Sequence, residues 1–316
     1  MKILITGGSG FIGTRLVSEL LDSGYQVTIF DKKISSKYPE MTVLGDVRDT
    51  KTLMETAVEH DIIYHLAAEH TDNVWPESLY YDVNVGGTKN VVTAANNAGI
   101  NKIIFTSSVA VYPLDAGEPD EDSLVEPFNE YGRSKYAAEQ VLAKWVSEDD
   151  NRSLATVRPC VIFGEDNRGN VYNLLSQICK KRFIMVGSGK NKKSMGYVGN
   201  IVKFLSICMD FGPGLHLFNY ADKPDLTTSE IVRIAKKTFG RNNKYGLRIP
   251  YNIALLGGYV LDFLGNVCGK TFSISSIRMK KFSANTTIST DRLLKIGFGP
   301  VYSIEQALEK TIKTEF

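Results

Sequence analysis

Tyr131 and Lys135 stand four residues apart in Tyr131-Gly132-Arg133-Ser134-Lys135. On a helix that spacing puts both side chains on one face. A free tyrosine hydroxyl has a pKa of about 10 and is a weak base at neutral pH. A lysine ammonium beside it favours the phenolate and lowers that value. Such a pair can take a proton from a sugar or alcohol hydroxyl while another group accepts the hydride. Alone, the spacing also describes an exposed helical pair. The chemistry therefore turns on whether the chain supplies a hydride acceptor and a second hydroxyl.

The N-terminus supplies the acceptor's site. Ile3-Leu4-Ile5 is a short apolar run that ends in Thr6-Gly7-Gly8-Ser9-Gly10-Phe11-Ile12-Gly13. Leu16, Val17, Leu20 and Leu21 then fall on one helical face, Gly24 ends the helix, and Val27-Thr28-Ile29-Phe30 makes a second strand closing on Asp31. Gly7 and Gly10 allow a tight turn and close approach of a pyrophosphate, whose charge meets the helix N-terminus at Phe11 and Ile12. An acid at the end of the second strand accepts hydrogen bonds from a ribose 2′-hydroxyl and repels a 2′-phosphate. Asp31 therefore favours NAD over NADP, while Lys32 and Lys33 act in the opposite sense.

The alternation of strand and helix continues. Val43-Leu44 leads to Gly45-Asp46-Val47, where Asp46 could meet the adenine edge. The strand at 62–66 runs into Leu66, Ala67 and Ala68, small enough for a cofactor to approach the backbone. Residues 83–98 read as a helix carrying Asn84, and the strand at 102–106 ends in the hydroxyls of Ser107 and Ser108. The expected fold is α/β: a Rossmann-type doubly wound parallel sheet with a smaller C-terminal substrate-binding lobe. Ligands then bind at the carboxyl ends of the strands, where Gly7, Asp31, Asp46, Ala67 and Ser108 fall. The expected division is 1–160 for the NAD-binding domain, with returning segments near 195–222, and 161–194 with 223–316 for the lobe. Within the second half, 215–219 should return as a sheet strand, and 229–235 should be an amphipathic helix with Ser229 as its N-cap.

Composition narrows the class. The 316 residues are 43% hydrophobic and 23% charged with a net charge of +2, the profile of a soluble globular protein and not of a nucleic-acid binder. The four cysteines, Cys160, Cys179, Cys208 and Cys268, are scattered without a C-x-x-C pair, so neither a metal site nor a disulfide framework is expected. That inventory fits the reducing cytoplasm. The N-terminal apolar run is too short for a signal peptide, and no stretch is long enough to span a bilayer. The most apolar segment, 253–264, is either a core helix of the lobe or a monotopic patch that dips into a membrane. In the second case Arg278, Lys280 and Lys281 would meet anionic headgroups, making 250–282 a peripheral membrane surface.

These pieces together resemble the extended short-chain dehydrogenases/reductases. The matching residues are the glycine turn from Thr6 to Gly13, Asp31, Asp46-Val47, His65-Leu66-Ala67-Ala68, Asn84, Thr106-Ser107-Ser108, Tyr131 with Lys135, and Arg158-Pro159. The resemblance implies catalysis by Ser108, Tyr131 and Lys135, with Lys135 also holding the nicotinamide ribose and Cys160 beside the cofactor. It further implies a homodimer built on the helices at 83–98 and 131–145. A narrower resemblance runs through Glu69-His70-Thr71-Asp72, the segments at 78–85 and 168–175, Lys193-Ser194-Met195 and 222–226. It is to bacterial 4-epimerases that act on N-acetylglucosamine linked through diphosphate to undecaprenol, in surface polysaccharide synthesis.

Two positions choose among reactions. Dehydratases of this superfamily carry an acidic pair directly after the catalytic hydroxyl residue; here Val109 and Ala110 stand there and cannot protonate a leaving hydroxyl. UDP-galactose epimerases place an asparagine two residues after the position of Pro159; here it is Val161. The expected reaction is oxidation at C4, rotation of the keto sugar and reduction on the other face. A sugar that must swing needs its diphosphate held by basic groups away from the chemistry. Lys193, and the cluster of Arg278 and Lys281, are the candidates, with Glu69, His70, Asn170 and Asn173 as candidate sugar contacts or, for the asparagines, helix caps. A soluble UDP-N-acetylglucosamine 4-epimerase and an NAD-dependent dehydrogenase on a membrane-borne alcohol remain alternatives.

Overall fold

The structure is a computed structural model that describes residues 1–71, 74–114, 116–241, 248–268 and 283–316, with the backbone alone at 262–268. The first half runs β1 (Lys2–Thr6), α1 (Phe11–Asp22), β2 (Gln26–Asp31), β3 (Thr42–Leu44), α2 (Thr50–Ala57), β4 (Ile62–His65), α3 (Ser78–Tyr81), α4 (Gly87–Ala98), β5 (Lys102–Thr106), α5 (Glu130–Ser147) and β6 (Ser153–Pro159). These strands, with β10 (Gly214–Tyr220) returning beside β6, form one sheet in the order β10-β6-β5-β4-β1-β2-β3. Every pairing in it is parallel. The chain moves outward from β1 through β2 to β3 and then restarts on the other side of β1 at β4. That reversal opens a crevice at the carboxyl ends of β1 and β4, where a ligand fits.

Both faces of the sheet are covered, which is why its strands read as near-continuous apolar runs. Side chains alternate between the faces. Ile3, Ile5, Ile29 and Tyr64 pack with Leu16, Val17 and Leu20 of α1 in one core. Leu4, Phe30, Ile63 and Phe105 pack with Leu53 of α2, Val91 of α4 and Leu142 and Trp145 of α5 in the other. The helix expected at 83–98 is not uniform. Asp82–Gly86 forms a wider π-helical turn carrying Asn84, and regular α4 begins at Gly87. Single π turns inside helices are frequent at functional sites.

The second half adds β7 (Val161–Phe163), α6 (Asn170–Cys179), β8 (Met185–Val186), β9 (Lys192–Tyr197), α7 (Val198–Ile207), β11 (Asp222–Thr227), α8 (Thr228–Thr238), β12 (Arg248–Ile249), α9 (Tyr251–Cys268), α10 (Asp291–Lys295) and α11 (Ile304–Glu315). β11, β9 and β7 make a three-stranded sheet, and β8 pairs with β12. Ser229 is not the cap of α8. Thr227 is: its hydroxyl accepts from Glu230 N–H at 3.1 Å while Glu230 accepts from Thr227 N–H at 2.8 Å. That reciprocal bond needs an acid three residues after the cap, which Thr227 has and Ser229 lacks. In α9, Ile253, Leu256, Tyr259 and Val260 are all exposed, so this apolar helix is not a simple core element. Among the described residues no helix is long and apolar enough to cross a membrane.

Candidate active site at the carboxyl edge of the sheet

The crevice is lined first by the glycine turn. Gly7 has φ +76°, and a Cβ there would lie 2.6 Å from the Ala67 nitrogen. A Cβ on Gly13 would lie 2.4 Å from the Gly7 carbonyl oxygen. These two glycines let β1, the turn and the residues after β4 close to backbone contact. Gly10 is the N-cap of α1 and makes no side-chain capping bond, so the first N–H groups of α1, at Phe11 and Ile12, face the turn uncapped by a side chain. Such an end favours an anion. Asp31 ends β2 and accepts from Ser9 N–H and Lys33 N–H, both at 3.0 Å. It ties the turn to the second strand.

Asp46 is held by a neighbour on its own loop. Arg48 grips it through Nε at 3.0 Å and Nη2 at 2.7 Å, and that bonding holds the Asp46 carboxyl below its usual range. Val47 is buried beside it, under Gly87. Leu66, Ala67 and Ala68 are half-buried at the end of β4. Asn84 is 1% exposed and spends its amide inside the protein: Oδ1 accepts from Glu69 N–H at 2.8 Å, and Nδ2 donates to Glu69 O at 3.0 Å and Ser134 Oγ at 2.9 Å. It holds the site together and does not face a ligand with a free group. Ser107 is 4% exposed, and its Oγ has no protein partner. A buried orphan hydroxyl in this crevice is what a polar ligand would satisfy. The glycine cradle, the open helix end and this hydroxyl fit a dinucleotide.

The catalytic candidates converge at β5 and α5. Ser108 follows β5, and its Oγ accepts from Ala110 N–H at 3.1 Å, capping the 3₁₀ turn Val109–Val111. α5 starts at Asn129, whose side chain accepts from Gly132 N–H at 2.8 Å. Gly132 sits against that 3₁₀ turn: a Cβ on it would lie 2.2 Å from the Ala110 carbonyl oxygen. The missing side chain lets the start of α5, and Tyr131 with it, pack closely against the turn that carries Ser108. Gly132 was visible between Tyr131 and Lys135 in the sequence, but its partner was not.

Burial raises the Tyr131 pKa, and the Ser108 hydrogen bond is what opposes it. Lys135 is 2% exposed, with Nζ 4.2 Å from the centroid of the Phe105 ring, a cation–π seat. Burial drives its pKa down to about 7, opposed by the Glu139 carboxylate one turn on. Glu139 is itself bound to Arg158 Nε at 2.9 Å and Nη2 at 2.6 Å, and Arg158 Nη1 donates to Tyr112 Oη at 2.8 Å. This buried pair forms the floor behind the lysine. Cys160, next along, is buried, and burial pushes its thiol up.

A base that holds its proton less tightly folded than unfolded destabilises the fold wherever the unfolded chain keeps that proton. For Lys135 the penalty appears below the ordinary value of 10.5, grows as pH falls to about 7, and is constant below that. Cofactor-free Lys135→Met is therefore expected to be more stable than the unsubstituted protein, with a gain larger at pH 7 than at about 9.5. Urea unfolding at the two pH values measures this; equal gains would show that the lysine does not titrate in that window.

The sugar-side candidates are less uniform. Glu69 turns its carboxylate onto its own loop, where Oε1 accepts from His70 N–H and Thr71 N–H, both at 3.1 Å, and Thr71 Oγ1 at 2.7 Å. His70 is exposed on the same loop. Asn170 and Asn173 are exposed on the first turn of α6. Neither caps that helix, because Gly169 is its N-cap and Asn167 bonds the Gly169 N–H. Lys193 Nζ donates to the Ala284 carbonyl at 2.6 Å, tying β9 to the segment beside it. Asp72, Arg278 and Lys281 lie outside the described residues.

A model of the NAD dependent epimerase/dehydratase family matches residues 3–220. The chain is 45% identical to the N-acetyl-alpha-D-glucosaminyl-diphospho-ditrans,octacis-undecaprenol 4-epimerase of Escherichia coli O157:H7, over 100% of this chain and 95% of that protein. It is 29% identical to the UDP-glucose 4-epimerase of Vibrio cholerae, over 73% of this chain and 74% of that one. In fold it is similar to the UDP-N-acetylglucosamine 4-epimerase from Bacillus cereus, with a TM-score of 0.79 at 19% identity over 100% of both chains. Matched by the family model over more than half its length, and by a relative of high identity from end to end, this chain belongs to the NAD-dependent epimerase/dehydratase family.

Proposed function

We propose that the protein is a 4-epimerase that interconverts N-acetylglucosamine and N-acetylgalactosamine carried on undecaprenyl diphosphate. The full-length 45% identity to a relative bearing that activity in its name carries the reading. The site is compatible with it: Ser108 and Tyr131 are paired, and Val109 and Ala110 stand where elimination would require an acid. NAD, when bound, would supply a reversible hydride acceptor.

Gly7, Gly10 and the N–H groups of Phe11 and Ile12 would hold its pyrophosphate. Asp31 and Lys32 would lie at the adenine ribose, and Asp46 and Val47 at the adenine. Leu66, Ala67, Ala68, Ser107, Lys135 and Cys160 would line the nicotinamide half, with Asn84 bracing that wall. Tyr131 takes the proton of the 4-hydroxyl and returns one after the sugar has turned over. Ser108 shares the hydrogen bond to the same oxygen and favours the phenolate. Lys135, seated on Phe105, supplies positive charge under the pair. Lys193, Arg278 and Lys281 are the candidate anchors of the diphosphate.

A lipid-linked substrate lies at a membrane surface, and two observations suit the protein to one. Residues 1–160 carry 14 Lys and Arg against 24 Asp and Glu, whereas residues 161–316 carry 23 against 11. The positive half also carries the exposed apolar residues Ile253, Leu256, Tyr259 and Val260 of α9. Basic charge around an apolar helix face favours an anionic bilayer surface, so we place the protein peripherally on the inner face of the cytoplasmic membrane. Incubation with radiolabelled N-acetylglucosamine on undecaprenyl diphosphate in anionic vesicles, followed by release and chromatography of the sugar, is the test. Conversion to N-acetylgalactosamine with co-sedimentation of the protein is expected. Turnover of UDP-N-acetylglucosamine alone would replace this reading with a soluble epimerase, and net NADH formation with a dehydrogenase.

A further inference from the structure

A second buried phenol stands against the first. Tyr80, in α3, is 6% exposed and sets its ring 6.3 Å from that of Tyr131 at 54°. Its hydroxyl donates to the carbonyl of Thr71. That carbonyl belongs to a short segment whose backbone N–H groups are all spent on the protein. The N–H groups of His70 and Thr71 and the hydroxyl of Thr71 bind the Glu69 carboxylate. The N–H and carbonyl of Glu69 both bind the Asn84 amide. Asn84 also donates to Ser134 Oγ, and Ser134 donates to the carbonyl of Tyr131 at 2.8 Å. Glu69–Thr71 is thus fastened at one end through Asn84 to the backbone of Tyr131, and at the other through Tyr80 to its ring.

We propose that Tyr80 is a positioning residue that locks Glu69–Thr71 against Tyr131, making this segment a stiff wall beside which the oxidised sugar turns over. The proposal rests on the epimerase reading. An epimerase must present both faces of one carbon to the same acceptor, so a wall that bound the sugar tightly would hold it in one orientation. It must also keep the keto sugar from leaving. A backbone segment whose N–H groups are all bonded within the protein meets both needs: it confines the sugar without offering it free backbone donors. The π turn at Asp82–Gly86 serves the same purpose by aiming Asn84 at the Glu69 backbone.

Tyr80→Phe keeps the ring against Tyr131 and removes the bond to Thr71. In the NAD-bound holoenzyme, amide hydrogen exchange of a peptide containing Glu69–Thr71 should become at least about tenfold faster, with the strands of the sheet unchanged. On the substrate that the unsubstituted protein turns over, KM should rise and NADH should accumulate as keto sugar escapes, while kcat falls less than tenfold. Tyr80→Leu, which also removes the ring, should lose a further tenfold or more in kcat with NAD still bound. Unchanged exchange in Tyr80→Phe overturns the lock. Faster exchange with no rise in KM and no NADH release overturns the wall. If the unsubstituted protein epimerises neither substrate, the functional reading fails on its own, and the exchange arm still decides whether Tyr80 holds the segment.

Discussion

Tyr131→Phe should lose about 10²–10⁴-fold in kcat, the usual contribution of a positioned acid–base group, while still carrying its NAD. The hydroxyl is the one atom removed. The ring keeps its contact with Tyr80, and Gly132, Ser134 and Lys135 keep theirs. On the proposed reading the pyrophosphate would be held by the glycine turn and the N-terminus of α1, not by the phenol, so retention should be unaffected. The measurement is sugar epimerisation beside the NAD content of denatured protein. Activity within tenfold of the unsubstituted enzyme would remove Tyr131 as the base. Loss of both activity and NAD would mean that the tyrosine supports the cofactor and not the proton transfer. The burial that raises the Tyr131 pKa makes the Ser108 hydrogen bond the main protein contribution acting toward the phenolate. On the proposed reading, Ser108 would favour the phenolate as well as meet the substrate oxygen.

Gly132→Ala should be nearly as damaging, although it removes no functional group. The new Cβ would lie 2.2 Å from the Ala110 carbonyl oxygen and 3.0 Å from the Pro127 side chain. The first is backbone and cannot swing aside, so the start of α5 must move away from the 3₁₀ turn that presents Ser108. A shift of about 1 Å in such a site can cost on the order of 10²-fold in rate, and overpacking adds about 1–3 kcal/mol of lost stability. Gly257→Ala is the control, since a Cβ there meets nothing within 4 Å. Kinetics with thermal unfolding separate the two effects. A Gly132→Ala enzyme with normal kcat would mean that α5 adjusts freely and that the close contact does not set the Ser108–Tyr131 distance.

The contrast between these variants shows where the site is written. Tyr131 and Ser108 are legible because their chemistry travels with residue type and with position at the ends of predicted elements. The glycine turn is legible for the same reason: only glycine adopts φ +76° beside a backbone nitrogen without strain, so its presence reports the geometry. The parallel order of strands follows from apolar runs alternating with helical periods, since that pattern can be buried only under helices on both faces. Thr227 was legible too, through Glu230 three residues later, and Ser229 is simply the weaker signal.

What the chain could not reveal on its own are the contacts whose partners are set by packing. Arg158 finds Glu139 across 19 residues, and Asn84 finds Ser134 across 50. Neither pairing has a local spacing rule. The four-residue step from Tyr131 to Lys135 places both on one face, but the depth of that face decides the lysine's charge state. Buried on Phe105, Lys135 falls to about 7. The amino-acid sequence by itself determined the dinucleotide fold and nominated Asp31 for the cofactor and Ser108, Tyr131 and Lys135 for the chemistry, because these readings depend on local backbone geometry and on residue chemistry. Tertiary structure alone decided how Gly132 docks Tyr131 onto Ser108, how deeply Lys135 is desolvated and how Tyr80 and Asn84 fasten Glu69–Thr71, because distance and dielectric exist only once the elements are packed.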